Sequence, residues 1–143
     1  MNPVRLKLIY DGHGPIHWSR AADAFGIQDK DERLHVGTPG AGDTVVFEMT
    51  VHVKAGGSQA PVLSGPFVHG PPAGRFIYLG WRNEQGAFAQ RLKLPLGSIT
   101  WDDVRAADER NAPLVGTLVD RHPRVTTTGA NVGGTRPINW ALA

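Results

Sequence analysis

The chain has 143 residues, 41% hydrophobic and 20% charged. That is enough for one domain, residues 1–143, with a proper core, and too apolar for intrinsic disorder. Fifteen Lys and Arg against thirteen Asp and Glu leave +2, and the longest basic cluster is the loose trio Arg121, His122 and Arg124, which argues against a nucleic-acid module with a concentrated basic face. With no cysteine, disulfides, thiolate nucleophiles and Cys-based zinc sites are excluded. No leader-like segment and no long apolar span is present, so the expectation is a cytoplasmic protein with no membrane partner.

Val4, Leu6, Leu8 and Tyr10 alternate with Arg5, Lys7 and Ile9 and predict a strand, stopped by Asp11-Gly12 and Gly14-Pro15. "WSRAADAF" at 18–25, ahead of Gly26, suggests a helix, and "GTPGAG" at 37–42 a loop. Residues 44–54, "TVVFEMTVHVK", are the clearest strand. Val45, Phe47, Met49, Val51 and Val53 point one way and polar residues mostly the other, a period of two that a helix would scatter.

After a glycine-containing loop at 55–60, residues 61–81 read as a hairpin. "PVLSGPFV" approaches, "HGPPAG" turns with Pro72 and Gly74 in type I positions, and "RFIYLGW" returns. The returning strand is apolar on both faces and so belongs in the middle of a sheet. "FAQRLKLPL" alternates again, with Pro95 ending its ladder or marking an edge.

"SITWDDVRAADERN" predicts a helix with Thr100 as N-cap, Asp103 completing an acidic capping box and Pro113 beyond its end. "LVGTLVD" at 114–120 and "RPINWAL" at 136–142 are the last strand candidates, with a loop at 128–134 between them. Gly116 within the first marks a bulge or a close backbone approach. Together these elements give a mainly β fold: an antiparallel β-sandwich or partly open barrel of about 7–8 strands, with one short helix near 100–108.

The stretch "GPFVHGPPAGRFIYLGW" followed by "QRLKLPLGSITW" resembles a family of bacterial proteins, domain of unknown function 5990. The resemblance is carried by Gly65, Pro66, Phe67, Gly70, Pro71, Pro72, Arg75, Phe76 and Tyr78, then by Arg91, Lys93 and Leu96. "FGIQ" at 25–28 is similar to the family's early G-x-Q element, and Asn139-Trp140 stands where the family has a G-W pair. The resemblance covers most of residues 5–118. It implies a whole domain and brings no activity with it.

Most chemistries fail on their local requirements. His13 and His17 are four apart with Asp11 nearby, but Gly12, Gly14 and Pro15 forbid the helix that would align them; in a loop, His35 or His69 would have to supply a third metal ligand. Ser58, Ser64 and Ser98 lack a nucleophile elbow. "GTPGAGDT" lacks the Gly-Lys-Ser/Thr ending and the helix of a phosphate loop. Asp102 and Asp103 suit a helix dipole better than acid–base work. The expectation is therefore no metal, no cofactor and no assigned catalytic residue.

The candidate ligand-binding residues are His69, Arg75, Tyr78, Arg91 and Lys93, on a stiff loop and two neighbouring strands. If those strands pair, the three cations fall close together. Glu48 and Asp120 would then offset them within the fold, or an anion would. This points to a non-catalytic binding or assembly domain, with a small anionic ligand, a protein partner or self-association. The alternative is an enzyme using His69 and Arg75 in a cleft. Single-stranded nucleic acid on a sheet with stacking aromatics is the weaker third reading.

Overall fold

The structure, a computed structural model, describes residues 3–12, 25–42, 44–54, 60–70, 75–82, 88–120 and 132–143. Among them are eleven strands: β1 (Val4–Gly12), β2 (Phe25–Gln28), β3 (Leu34–His35), β4 (Thr38–Pro39), β5 (Thr44–Lys54), β6 (Val62–Ser64), β7 (Phe76–Arg82), β8 (Phe88–Pro95), β9 (Leu114–Asp120), β10 (Val132–Thr135) and β11 (Ala141–Leu142). One helix, α1 (Trp101–Arg110), lies between β8 and β9. Seven of the strands have four residues or more, and five of these, β1, β5, β7, β8 and β9, lie where the periodicity placed strands. The rest are pairs or triplets of residues at sheet margins.

The strands form two sheets. The first runs β11-β9-β1-β5-β4, with β6 also on β5; the second runs β10-β8-β7-β2-β3. Alternation explains why they stack. β1 buries Val4, Leu6, Leu8 and Tyr10, and β5 buries Val45, Phe47, Met49 and Val51. Their antiparallel register, Val4↔Val51 to Asp11↔Thr44, lays both rows on one face. From the second sheet come Phe25, Ile27, Ile77, Leu79, Leu92 and Leu94, all in the same core. Phe25 sits 4.9 Å from Tyr10 and 5.5 Å from Phe47, centroid to centroid, across the sandwich. No helix among the described residues is long and apolar enough to cross a membrane.

The fold is the expected β-sandwich, with mixed sheets: β9 runs parallel to β1, and β10 parallel to β8. Helix α1 is the reason for the first. It carries the chain over the end of the sandwich, buries Val104 and Ala107, and releases it at Asn111, whose carbonyl accepts from Arg5 near the start of β1. β9 therefore enters beside β1 from the same end. The capping box forms in both directions between Thr100 and Asp103, and Asn111 closes the helix in the left-handed region.

Gly116 makes the close approach its sequence position suggested, and not a bulge, since its pairing with Leu8 is unbroken. A Cβ there would lie 2.5 Å from Ile138 and 2.8 Å from Trp140. The Trp140 ring, fully buried, fills that space and donates Nε1–H to the Pro95 carbonyl at 3.1 Å, tying the C-terminal segment to the other sheet.

Five local expectations change. The hairpin of 61–81 survives as a single bridge, His69↔Phe76. Its approaching arm, β6, pairs instead with β5 of the first sheet, because β5 is longer than its other partners and offers a free edge at His52 to Lys54. Thr38-Pro39 and Val132–Thr135, expected in loops, take short edge pairings with β5 and β8. Of 136–142 only Ala141-Leu142 forms a strand. Phe25, expected at a helix end, opens β2. The rest of that helix, His13 and His17, the Pro71–Gly74 turn, the loop at 55–59 and the cluster at 121–124 lie outside the described residues.

Candidate functional site

Strand alternation in β7 sends Ile77 and Leu79 into the core and leaves Phe76 and Tyr78 on the outer face of the second sheet. Their rings meet edge to face at 4.8 Å. His69, held opposite Phe76 by two backbone hydrogen bonds of 2.8 and 3.2 Å, stacks over Phe76 at 6.1 Å and leans on Tyr78 at 5.0 Å. Its Nε2 lies 2.9 Å from the Gln28 carbonyl oxygen. A carbonyl only accepts, so Nε2 carries the proton in that bond and Nδ1 is left for other work. Lys93 stands opposite Tyr78 in the β7–β8 register, with Nζ 4.1 Å from the Phe76 centroid, a cation–π contact.

The structure thus brings together three of the five sequence candidates, His69, Tyr78 and Lys93, and adds Phe76. Arg75 is not with them. It precedes β7 with the parity of the core residues, and its Nε donates 3.0 Å to the Leu63 carbonyl of β6. Arg91 is described in its backbone, which pairs with Gly80 two places from Lys93. The proposed offsetting acids are elsewhere: Glu48 stands opposite Lys7 in the first sheet, and buried Asp120 accepts from Tyr10 Oη at 3.0 Å with Arg136 at 3.8 Å. Burial, then the Asp120 charge, drives the Tyr10 hydroxyl far above its ordinary pKa.

A second polar constellation was not singled out from the sequence. Asp29, at the β2–β3 turn, accepts from the backbone N–H groups of Asp31 (2.8 Å) and Arg33 (2.9 Å), while its other oxygen lies 2.7 Å from His35 Nε2. The His35 bond is the first cause holding the Asp29 carboxyl below its usual range, with the two N–H donors behind it. "DKD" does carry an Asx-turn signal. The His35 contact depends on the β2–β3 register Ile27↔His35, which no local pattern announces.

Two clefts flank Phe67, which meets His35 edge to face at 4.8 Å. One, of about 460 Å³, lies beside Arg5, Lys7 and Glu48; the other, of about 210 Å³, beside His35, Thr38 and Val46. Neither His69 nor Arg75 lines them. Among the described residues no three His, Asp or Glu side chains converge as a metal site.

Residues 6–143 match the family described as "Family of unknown function (DUF5990)". The match spans nearly the whole chain, and the chain belongs to that family. No curated protein and no solved structure matches it.

Proposed function

We propose that this domain is a non-catalytic binding module whose recognition face is the outer face of the second sheet, around His69, Tyr78 and Lys93. The observation that carries the reading is the convergence of three rings and an ammonium on the side of the central strand that faces away from the core. His69, Tyr78 and Lys93 are each half-buried: fixed by their neighbours, yet offering surface. Rigid aromatic area is what interface centres are enriched in, because rings contribute contact at little rotamer entropy, and Lys93 adds a charge at its margin. The partner this chemistry fits is a carboxylate-bearing protein surface, a second copy of this chain included. The anionic small ligand expected from the sequence would meet this face through Lys93, two register places from the Arg91 backbone.

The enzyme reading with His69 and Arg75 is less well supported. Each already bonds a carbonyl, on strands of different sheets, Gln28 and Leu63, and neither lines the clefts beside Phe67. Sedimentation velocity over a wide concentration range tests self-association, with Tyr78→Ala and Lys93→Met expected to weaken it. Thermal unfolding with phosphate, sulfate and small carboxylates at matched ionic strength tests the anion, since a specific ligand raises the midpoint by mass action. A monomer at every concentration, together with an identical response to all anions, would sink the proposal.

A further inference from the structure

The larger of the two clefts beside Phe67 lies apart from the face just described and does not depend on it. Its volume of about 460 Å³ falls within the range of about 300–1,000 Å³ typical of small-molecule sites. The pieces that line it are far apart in sequence: Arg5 and Lys7 from β1, Glu48 and Thr50 from β5, Phe67 from the Gly-Pro loop and Pro113 ahead of β9. Register places them, since Arg5 faces Thr50 and Lys7 faces Glu48.

A break in the first sheet adjoins this cleft. β4 covers Val45 and Val46, and β6 covers His52 to Lys54. Between those two, Phe47–Val51 has, among the described residues, a strand partner on the β1 side alone. Thr44 exchanges backbone hydrogen bonds with Gly40 and Ala41 on the far side. By the two-residue period of a strand, Glu48 and Thr50 therefore turn their N–H and C=O groups toward the break. Phe67 plugs it from the loop and packs against the core. An occupant would thus meet an apolar floor of Phe67 and Pro113, the strand edge at Glu48, and charged side chains at the rim.

The charge decides which occupant. Arg5 and Lys7 against Glu48 give 2 − 1 = +1 around the cleft, and His52 is also on its wall. Among the described residues neither Arg5 nor Lys7 joins an ion pair. Arg5 spends one amino group on Asn111 and keeps its remaining donors. A surplus of one positive charge suits a monoanion. Glu48 opposes a second negative charge, and the two cations oppose an amine.

We propose that this cleft binds a small organic monocarboxylate with an apolar body, its carboxylate between Lys7 and Arg5 and its body against Phe67 and Pro113. Phenylacetate is the probe, compared with phenylethylamine and inorganic phosphate at equal ionic strength, by calorimetry and by amide chemical shifts. Phenylacetate is expected to bind in preference to both, with shifts centred on β1, β5 and Phe67. Lys7→Met is expected to weaken it about fivefold, the scale of one exposed charge contact. Lys54→Met, which removes the same charge outside the cleft, is expected to leave it unchanged. Equal binding of all three probes, no binding of phenylacetate, or equal weakening by the two lysine variants would overturn the proposal. Shifts confined to His69, Tyr78 and Lys93 would also overturn it, and would assign the anion to the second sheet.

Discussion

Replacing Gly70 by alanine tests the joint between the Gly-Pro loop and β7. Gly70 has φ +93°, a conformation that disfavours a Cβ by roughly 1–2 kcal/mol. The added carbon would also stand 2.1 Å from Cε1 of Phe76, far inside the ~3.5–4.0 Å of a carbon–carbon contact. The buried Phe76 ring would have to move, straining the His69 stack and the Lys93 contact, and such overpacking costs about 1–3 kcal/mol. The expected loss is therefore about 2–5 kcal/mol. Gly42 supplies the comparison: its φ is also positive, at +61°, but nothing lies within 4 Å of its Cβ position. Gly42→Ala should show the backbone part alone, about 1–2 kcal/mol. Urea unfolding followed by tryptophan fluorescence, with buried Trp140 as one reporter, measures both. A Phe76→Leu background should relieve part of the Gly70→Ala loss, because the two sites are in contact. Equal losses for Gly70→Ala and Gly42→Ala, with no relief on that background, would refute the packing argument.

Asp29 gives a pH signature. Its folded carboxyl titrates below the ordinary range, so the stability it contributes is present above about pH 4 and is lost as pH falls through the folded value. Asp29→Asn should be less stable than the parent at neutral pH, and the gap should narrow below about pH 4 in urea titrations at stepped pH; a constant gap would count against the His35 bond. Thr100→Ala removes the side-chain acceptor for the Asp103 N–H and should cost about 1 kcal/mol in the same assay.

Much of the architecture was legible from local patterns. β1 and β5 announce themselves by a two-residue period, and α1 by Thr100 and Asp103 at capping distance. Gly116 marks the place where Trp140 and Ile138 press on a backbone. Each depends on residues a few places apart, or on a side chain whose absence is itself the signal. Partner choice is another matter. The parallel seat of β9 beside β1 follows from where α1 delivers the chain. The transfer of β6 to β5 follows from the spare length of β5, and it splits the expected hairpin. That split takes Arg75 to the Leu63 carbonyl and leaves Lys93 with the rings of Phe76 and Tyr78. The Asp29–His35 bond and the Arg5–Lys7–Glu48 cleft likewise join residues whose closeness is a matter of register. The sequence by itself determined which face of each strand would be buried, because burial follows a side chain's own chemistry. Only the tertiary structure decided which exposed faces and edges meet, because unpaired strand edges offer nearly the same backbone donors and acceptors, and packing at a distance selects among them.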